Sequence, residues 1–189
     1  MIHKKEFYFI RHGQTDYNIL PNHYQIDHPS EVPLNATGRS QANRIEPLIA
    51  ALPIKTVCCS PFTRAQETKH IVTSRLNVTH HELEELGECS AAVWQEMAAK
   101  KWAASLHPEG HIRHFLERVR NGVNRALSQE GPVLIIAHGG IHFAICSWMN
   151  LSDHDWAVDN CVPIRFHCKE DRWVAEQLQL LKDSLIKTT

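Results

Sequence analysis

Two short apolar runs, FYFI at 7–10 and VLIIA at 133–137, are too brief for helices and rich in aromatic and β-branched residues, so they read as buried strands. IKTVCCS at 54–60 is a third, less pure case. Strands apolar on both faces need cover on both, and parallel strands need crossover connections, which are usually helices. The intervening sequence supplies them. Ala42, Ile45, Ile49 and Leu52 are spaced for one helix face, with Pro47 expected to kink that helix or interrupt its hydrogen bonding. Ser60 as N-cap and Pro61 at the first helical position predict a helix over about 61–75. Ile112, Phe115, Leu116, Val119, Val123, Ala126 and Leu127 form a cleaner helical stripe. Further strands are predicted at 76–80, 162–167 and 172–176, the last two pairing across KED (169–171) as an antiparallel edge hairpin. This order predicts an α/β fold, a three-layer α/β/α sandwich on a mainly parallel central sheet with an antiparallel edge. Residues 90–106 make a separate helical pattern, and Trp94, Met97, Ala98 and Trp102 on its related faces read as packing.

The chain's 189 residues suit one substantial core, so a single domain over 1–189 is expected, with a helical excursion at about 82–110. Charge is balanced, 20 Lys+Arg against 21 Asp+Glu, without a basic or acidic block, so no nucleic-acid or membrane partner is expected and any anion specificity must be local. Neither a signal-peptide pattern nor an apolar run of spanning length occurs, which predicts a soluble cytoplasmic protein. Cys58, Cys59, Cys89, Cys146, Cys161 and Cys168 lack paired spacing and read as reduced, mostly buried thiols. Among 14 histidines, His138 and His142 have the i,i+4 spacing of zinc ligands. HGGIH, however, lacks the Glu of a zinc-helix motif and would start its helix through two glycines, so no metal or other cofactor is expected. His80, His81, His107, His111 and His114 read as surface or helix-face residues.

Each main strand runs into chemistry: Arg11-His12-Gly13, Ser60-Pro61 and His138-Gly139-Gly140. Ligands of parallel α/β sheets bind outside the carboxyl ends of the strands, so His12, Arg64 and His138 are expected to share one crevice. Arginine stays charged and grips phosphate oxygens bidentately, which suits Arg11 and Arg64 to a phosphoryl group. Their field lowers the pKa of a nearby histidine and leaves His12 a free ring nitrogen with which to attack. A protonated His138 would neutralise charge on the transferring group, and the leaving alkoxide needs a carboxylic acid nearby.

FIRHGQTDYN (9–18) resembles the R-H-G-x-T-x-x-N signature of the histidine phosphatase superfamily, the phosphoglycerate mutase-like fold. EVPLNATGRSQA (31–42), SPFTRAQET (60–68), VLIIAHGGIH (133–142) and DNC (159–161) are similar to the family's later landmarks, in order. The resemblance implies that His12 is the phosphorylated nucleophile and that Arg11, Arg64 and His138 form the phosphate pocket. It adds Asn18 and the Gly139 backbone as phosphate donors and implies no metal or organic cofactor. The family places its acid as L-x-E shortly after the third strand, a spacing that HHELEELGECSAAVW (80–94) does not keep. Glu85 lies at the better distance from a strand ending near Thr79 and is placed first, Glu88 second, with Glu82 and Glu84 behind. Cys89-Ser90 and PEGHIRHF (108–115) also depart from the family pattern, in the substrate-facing excursion.

The expected activity is a metal-independent phosphomonoesterase that uses a phosphohistidine on a small phosphorylated metabolite. Alternatives are phosphoglycerate mutase-type transfer, disfavoured by the short excursion, phosphohistidine-protein phosphatase activity, and a non-catalytic phosphate-binding relative. Oligomeric state is left open.

Overall fold

The structure is a computed structural model that describes residues 1–19, 28–180 and 186–188. Four strands, β1 (Phe7–Arg11), β2 (Thr56–Cys59), β3 (Thr79–Glu82) and β4 (Val133–Ala137), run parallel. On the other side of β1, β5 (Pro163–Lys169), β6 (Arg172–Leu180) and β7 (Ile186–Thr188) add antiparallel, giving the order β3-β2-β4-β1-β5-β6-β7. Strand alternation divides the apolar residues between two cores. Phe7, Phe9, Val133, Ile135 and Ala137 enter one, while Tyr8, Ile10, Leu134 and Ile136 enter the other. The first core is covered by α3 (Ala91–Lys100), α5 (Gly110–Leu127) and α6 (Gly139–Met149), and the second by α1 (Ala36–Ala50) and α2 (Thr63–Val72). The three-layer α/β/α architecture is therefore the one expected.

Several boundaries differ from the sequence expectations. α1 continues through Pro47, which is exposed, so the Asn43 carbonyl that loses its partner faces water. α2 begins only at Thr63, because Phe62 keeps an extended backbone as N-cap, while the Ser60 hydroxyl lies against His138 and accepts the Phe62 N–H. The third strand occupies 79–82, not 76–80. The 90–106 pattern breaks at Lys101, whose φ of 48° lies in the left-handed region, into α3 and a short α4 (Ala103–Leu106). The predicted hairpin forms, with Lys169 opposite Arg172 and positive φ at both Glu170 and Asp171, the geometry of a two-residue primed turn. It does not end the sheet, because β7 pairs beyond it.

Candidate active site

Sheet register brings the chemistry together. The His12 N–H continues the ladder onto the Ala137 carbonyl at 2.9 Å, and the Ser60 N–H onto Ile136 at 3.0 Å. Residues 11–12, 60 and 138 thus leave adjacent strands at one edge. From the far side, Asn160 Nδ2 donates to the His12 carbonyl at 2.7 Å and the Cys161 N–H to the Arg11 carbonyl at 2.9 Å. The Asn of the DNC stretch therefore holds the backbone of the opening motif. Gly13 and Gly38 meet backbone to backbone: a Cβ on Gly13 would lie 2.5 Å from the Gly38 oxygen. A side chain at either glycine would push α1 off the loop.

His12 is almost fully buried. Its Nδ1 lies 2.8 Å from the Gly13 carbonyl, which can only accept, so the proton is on Nδ1 and Nε2 carries the lone pair. Arg64 Nε donates to that Nε2 at 3.1 Å. Burial, with Arg64 and Arg11 beside it, holds the His12 pKa well below the ordinary histidine value. The imidazole is neutral and its nucleophilic nitrogen available. Arg64 is oriented from behind by the Pro29 carbonyl at 2.6 Å, and burial lowers its pKa to about 10, which leaves it charged at neutral pH. Arg11 Nη1 donates to the Val158 carbonyl at 2.7 Å, while its buried Nε has no partner.

His138 caps α6 and stands edge-on to His12, with ring centroids 5.1 Å apart. Its Nε2 lies 2.7 Å from Ser60 Oγ, and its Nδ1 is buried without a partner. Burial, with Arg64, His12 and Arg11 nearby, holds its pKa well below the ordinary value. The expectation of a protonated His138 is thus corrected: burial and the neighbouring positive or potentially positive groups favour its neutral form.

The two candidate acids separate cleanly. Glu85 was placed first, yet its carboxylate turns outward to pair with Arg125 at 3.1 Å, and its Cβ rests on Gly122, where an added Cβ would lie 2.6 Å away. Glu88 instead lines a cleft of about 280 Å³ with Arg11, His12, Asn18, Arg64 and Gly139. Its Oε2 accepts the Gly140 N–H at 3.0 Å and its Oε1 the Cys89 N–H at 3.0 Å. A Cβ on Gly140 would collide with that carboxylate. Glu82 and Glu84 do not line the cleft. The shift from 85 to 88 follows the late start of β3, which carries the following turn further along the chain.

Sequence reasoning missed the supports of this site. Arg118 on α5 donates to the carbonyls of Glu84, Glu85, Gly87 and Glu88 and so clamps the turn that bears Glu88. Four aligned acceptors around one guanidinium leave no signal in sequence. Ser60 was read as a cap, although its place at a strand end beside an incoming histidine was legible. Trp94, read as packing, borders the cleft with Tyr17 and Cys89, whereas Trp102 does pack, stacking on Phe143 at 5.4 Å. Asn18 turns its Oδ1 back to Thr15, whose N–H and hydroxyl both lie at 3.0 Å, leaving the Nδ2 end to donate.

A parallel sheet whose carboxyl edge collects two guanidiniums and two neutral imidazoles, with a carboxylate opposite, defines an anion-binding α/β protein built for group transfer. The family model of the histidine phosphatase superfamily (branch 1) matches residues 7–180, and the chain belongs to that superfamily. It is 26% identical over 152 residues to the uncharacterized phosphatase PhoE of Bacillus subtilis (strain 168), covering 76% of this chain and 77% of that one. It is also 26% identical over 193 residues to the 2,3-bisphosphoglycerate-dependent phosphoglycerate mutase 2 of Gloeobacter violaceus, covering 86% and 85%. The alpha-ribazole phosphatase from Shigella flexneri shares the fold, with a TM-score of 0.63 at 22% identity over 89% of this chain and 93% of that one. The site therefore belongs to a family of phosphatases and mutase-like phosphotransferases.

Proposed function

We propose that the chain is a phosphomonoesterase that acts without a metal on a small phosphorylated substrate, through a phosphohistidine at His12. The observation that carries this reading is the fixed tautomer of His12: Nδ1–H is committed to Gly13, and the unprotonated Nε2, which accepts from Arg64, borders a cleft flanked by Arg11 and Arg64. The buried, partnerless Arg11 Nε and His138 Nδ1 beside it support an anionic occupant, because unsatisfied buried polar atoms are rare unless a ligand completes them. In the proposed reaction Glu88 enters protonated, Nε2 attacks phosphorus, the P–O ester bond breaks, and the leaving oxygen takes the Glu88 proton. Arg64 exchanges its contact with His12 for the phosphoryl oxygens, and Asn18 Nδ2 and the Gly139 N–H add donors. Water, deprotonated by Glu88, then attacks the phosphohistidine, the N–P bond breaks, and phosphate leaves. The described cysteines are all free, which fits a reducing cytoplasmic setting, and no helix among the described residues is long and apolar enough to cross a membrane.

Turnover of an aryl phosphate is expected to persist in EDTA and to fall at least ~10³-fold in His12→Ala, with acid-labile phosphate trapped on the wild-type chain alone. Binding of phosphate without any turnover would assign the chain to non-catalytic recognition. The mutase relative favours a second reading, transfer between substrate hydroxyls. Among the described residues that line the cleft, though, the Lys and Arg side chains are Arg11 and Arg64, both beside His12, which supports hydrolysis over transfer. A phosphoglycerate incubated with the enzyme separates the two readings: released phosphate indicates hydrolysis, and an isomeric product without it indicates transfer.

A further inference from the structure

Away from the cleft, α6 and the loop after it gather a second set of reactive side chains. His142 and Cys146, four residues apart on one helix face, are both fully buried. His154, half-buried on the loop, completes a triangle whose donor atoms all lie within 4.8 Å of one another. His142 Nε2 and Cys146 Sγ are 3.6 Å apart, and the two histidine rings have centroids 5.3 Å apart. A tetrahedral zinc ion with its nitrogen at about 2.05 Å and sulfur at about 2.3 Å has an N···S edge of ~3.6 Å. The observed pair already has that spacing.

Packing alone does not account for this set. His142 lies beside the Phe9 and Phe166 rings, at 5.7 and 6.2 Å between centroids, where an apolar side chain would fill the space without a polar cost. Its Nδ1 is buried with no hydrogen-bond partner, and the nitrogen that faces Cys146 is Nε2, so a metal would bind Nε2 and leave the ring proton on Nδ1, where the nearby Trp156 backbone favours it. The S–H···N contact on the other nitrogen is weak. Asp155 exerts its negative charge on both histidines. A Cys146 thiolate together with Asp155 would balance a doubly charged ion.

We propose that His142, Cys146 and His154 bind a borderline-soft divalent cation of the zinc class, with water in the fourth position on the exposed side of His154. On binding, the Cys146 S–H bond breaks, the sulfur–metal bond forms, and the proton passes to solvent. The ion ties the 150–162 loop to α6. That loop carries Val158, Asn160 and Cys161, which hold Arg11 and His12 through three hydrogen bonds. The metal thus steadies that loop without entering the chemistry, so its removal is expected to lower the Tm while turnover persists. The i,i+4 pair His138 and His142 that the sequence suggested is not the metal pair, since His138 faces Ser60 and His12.

The test is titration of the full-length, chelator-dialysed protein with Co²⁺ and then Zn²⁺. One equivalent of cobalt is expected, with a thiolate-to-cobalt charge-transfer band and tetrahedral d–d intensity. Zinc should displace it and raise the Tm. Cys146→Ser is expected to abolish the charge-transfer band, and His154→Ala to weaken cobalt binding at least tenfold. If Cys146→Ser does not fold, His154→Ala decides, because its site is half-exposed and on a loop. The proposal is overturned if the wild-type chain gives no charge-transfer band, or if the band and the affinity are unchanged in His154→Ala, which would place the metal on other histidines or on the exposed Cys168.

Discussion

A carboxylate's role here is decided by where three atoms point. Glu85 and Glu88 lie one turn apart in sequence, yet one meets Arg125 at the surface and the other accepts two backbone N–H groups inside the cleft. Glu88→Gln is expected to slow esters with poor leaving groups by about 10²-fold and activated aryl esters much less, since only the former depend on proton delivery. Glu85→Gln removes a partly exposed ion pair, so it is expected to cost ~0.2–1 kcal/mol of stability and leave kcat within about twofold. Steady-state kinetics on one alkyl and one aryl phosphate measure both. Equal loss in the two variants would return the acid to the open set of glutamates. Gly140 belongs to the same decision, because only a residue without a side chain lets the carboxylate sit on its N–H.

At the scale of elements, the acid-bearing turn (84–88) has little hydrophobic anchoring of its own. Leu86 is buried, and Arg118 supplies the rest by binding four consecutive-region carbonyls while stacking over Phe115 at 5.1 Å. Arg118 is a positioning residue for Glu88. Arg118→Ala is expected to lower kcat for alkyl phosphates about 10-fold with KM nearly unchanged, to spare activated aryl esters, and to be partly rescued by Lys. A uniform loss across both ester types would mean that the change merely loosens the fold. The pairing of α1 with the opening loop is as exacting: a Cβ on Gly38 would collide with the Gln14 backbone, so the close approach is itself part of the fold.

Across the whole molecule, three buried histidines tie stability to pH. Burial, assisted by Arg64 and Arg11 at the first two, depresses His12 and His138 well below the ordinary value, and burial together with His154 takes His142 down to about 3. In the unfolded chain each titrates near ~6.5. Below that pH the unfolded state binds protons that the folded state refuses, so the stability present above ~6.5 is lost as pH falls toward the folded values, by up to ~1.4 kcal/mol per pH unit for each histidine. Thermal unfolding between pH 7.5 and 5 should show a falling Tm in the lower half of that range. A flat or rising Tm would mean that these imidazoles ionise in the folded protein.

Much of this molecule can be read from the chain alone, for local reasons. Apolar runs bounded by helical stripes specify buried parallel strands, and Arg11, His12, Arg64 and His138 follow from where those strands must end. Their convergence needs only the rule that parallel strands open at one edge. Other features depend on distant backbone meeting at a point. The carboxylate that enters the cleft was selected by the late start of β3, the Arg118 clamp and the bare Gly140 N–H, which depend on contacts with other segments. His138 is held neutral by burial and by charges brought from other elements, Arg64 on α2 and Arg11 at the end of β1, and His154 joins His142 and Cys146 only because the loop folds back over α6. Sequence by itself determined the sheet and the groups at its edge, since periodicity and strand ends are local; tertiary structure alone decided which carboxylate faces the cleft, since that choice rests on contacts between segments tens of residues apart.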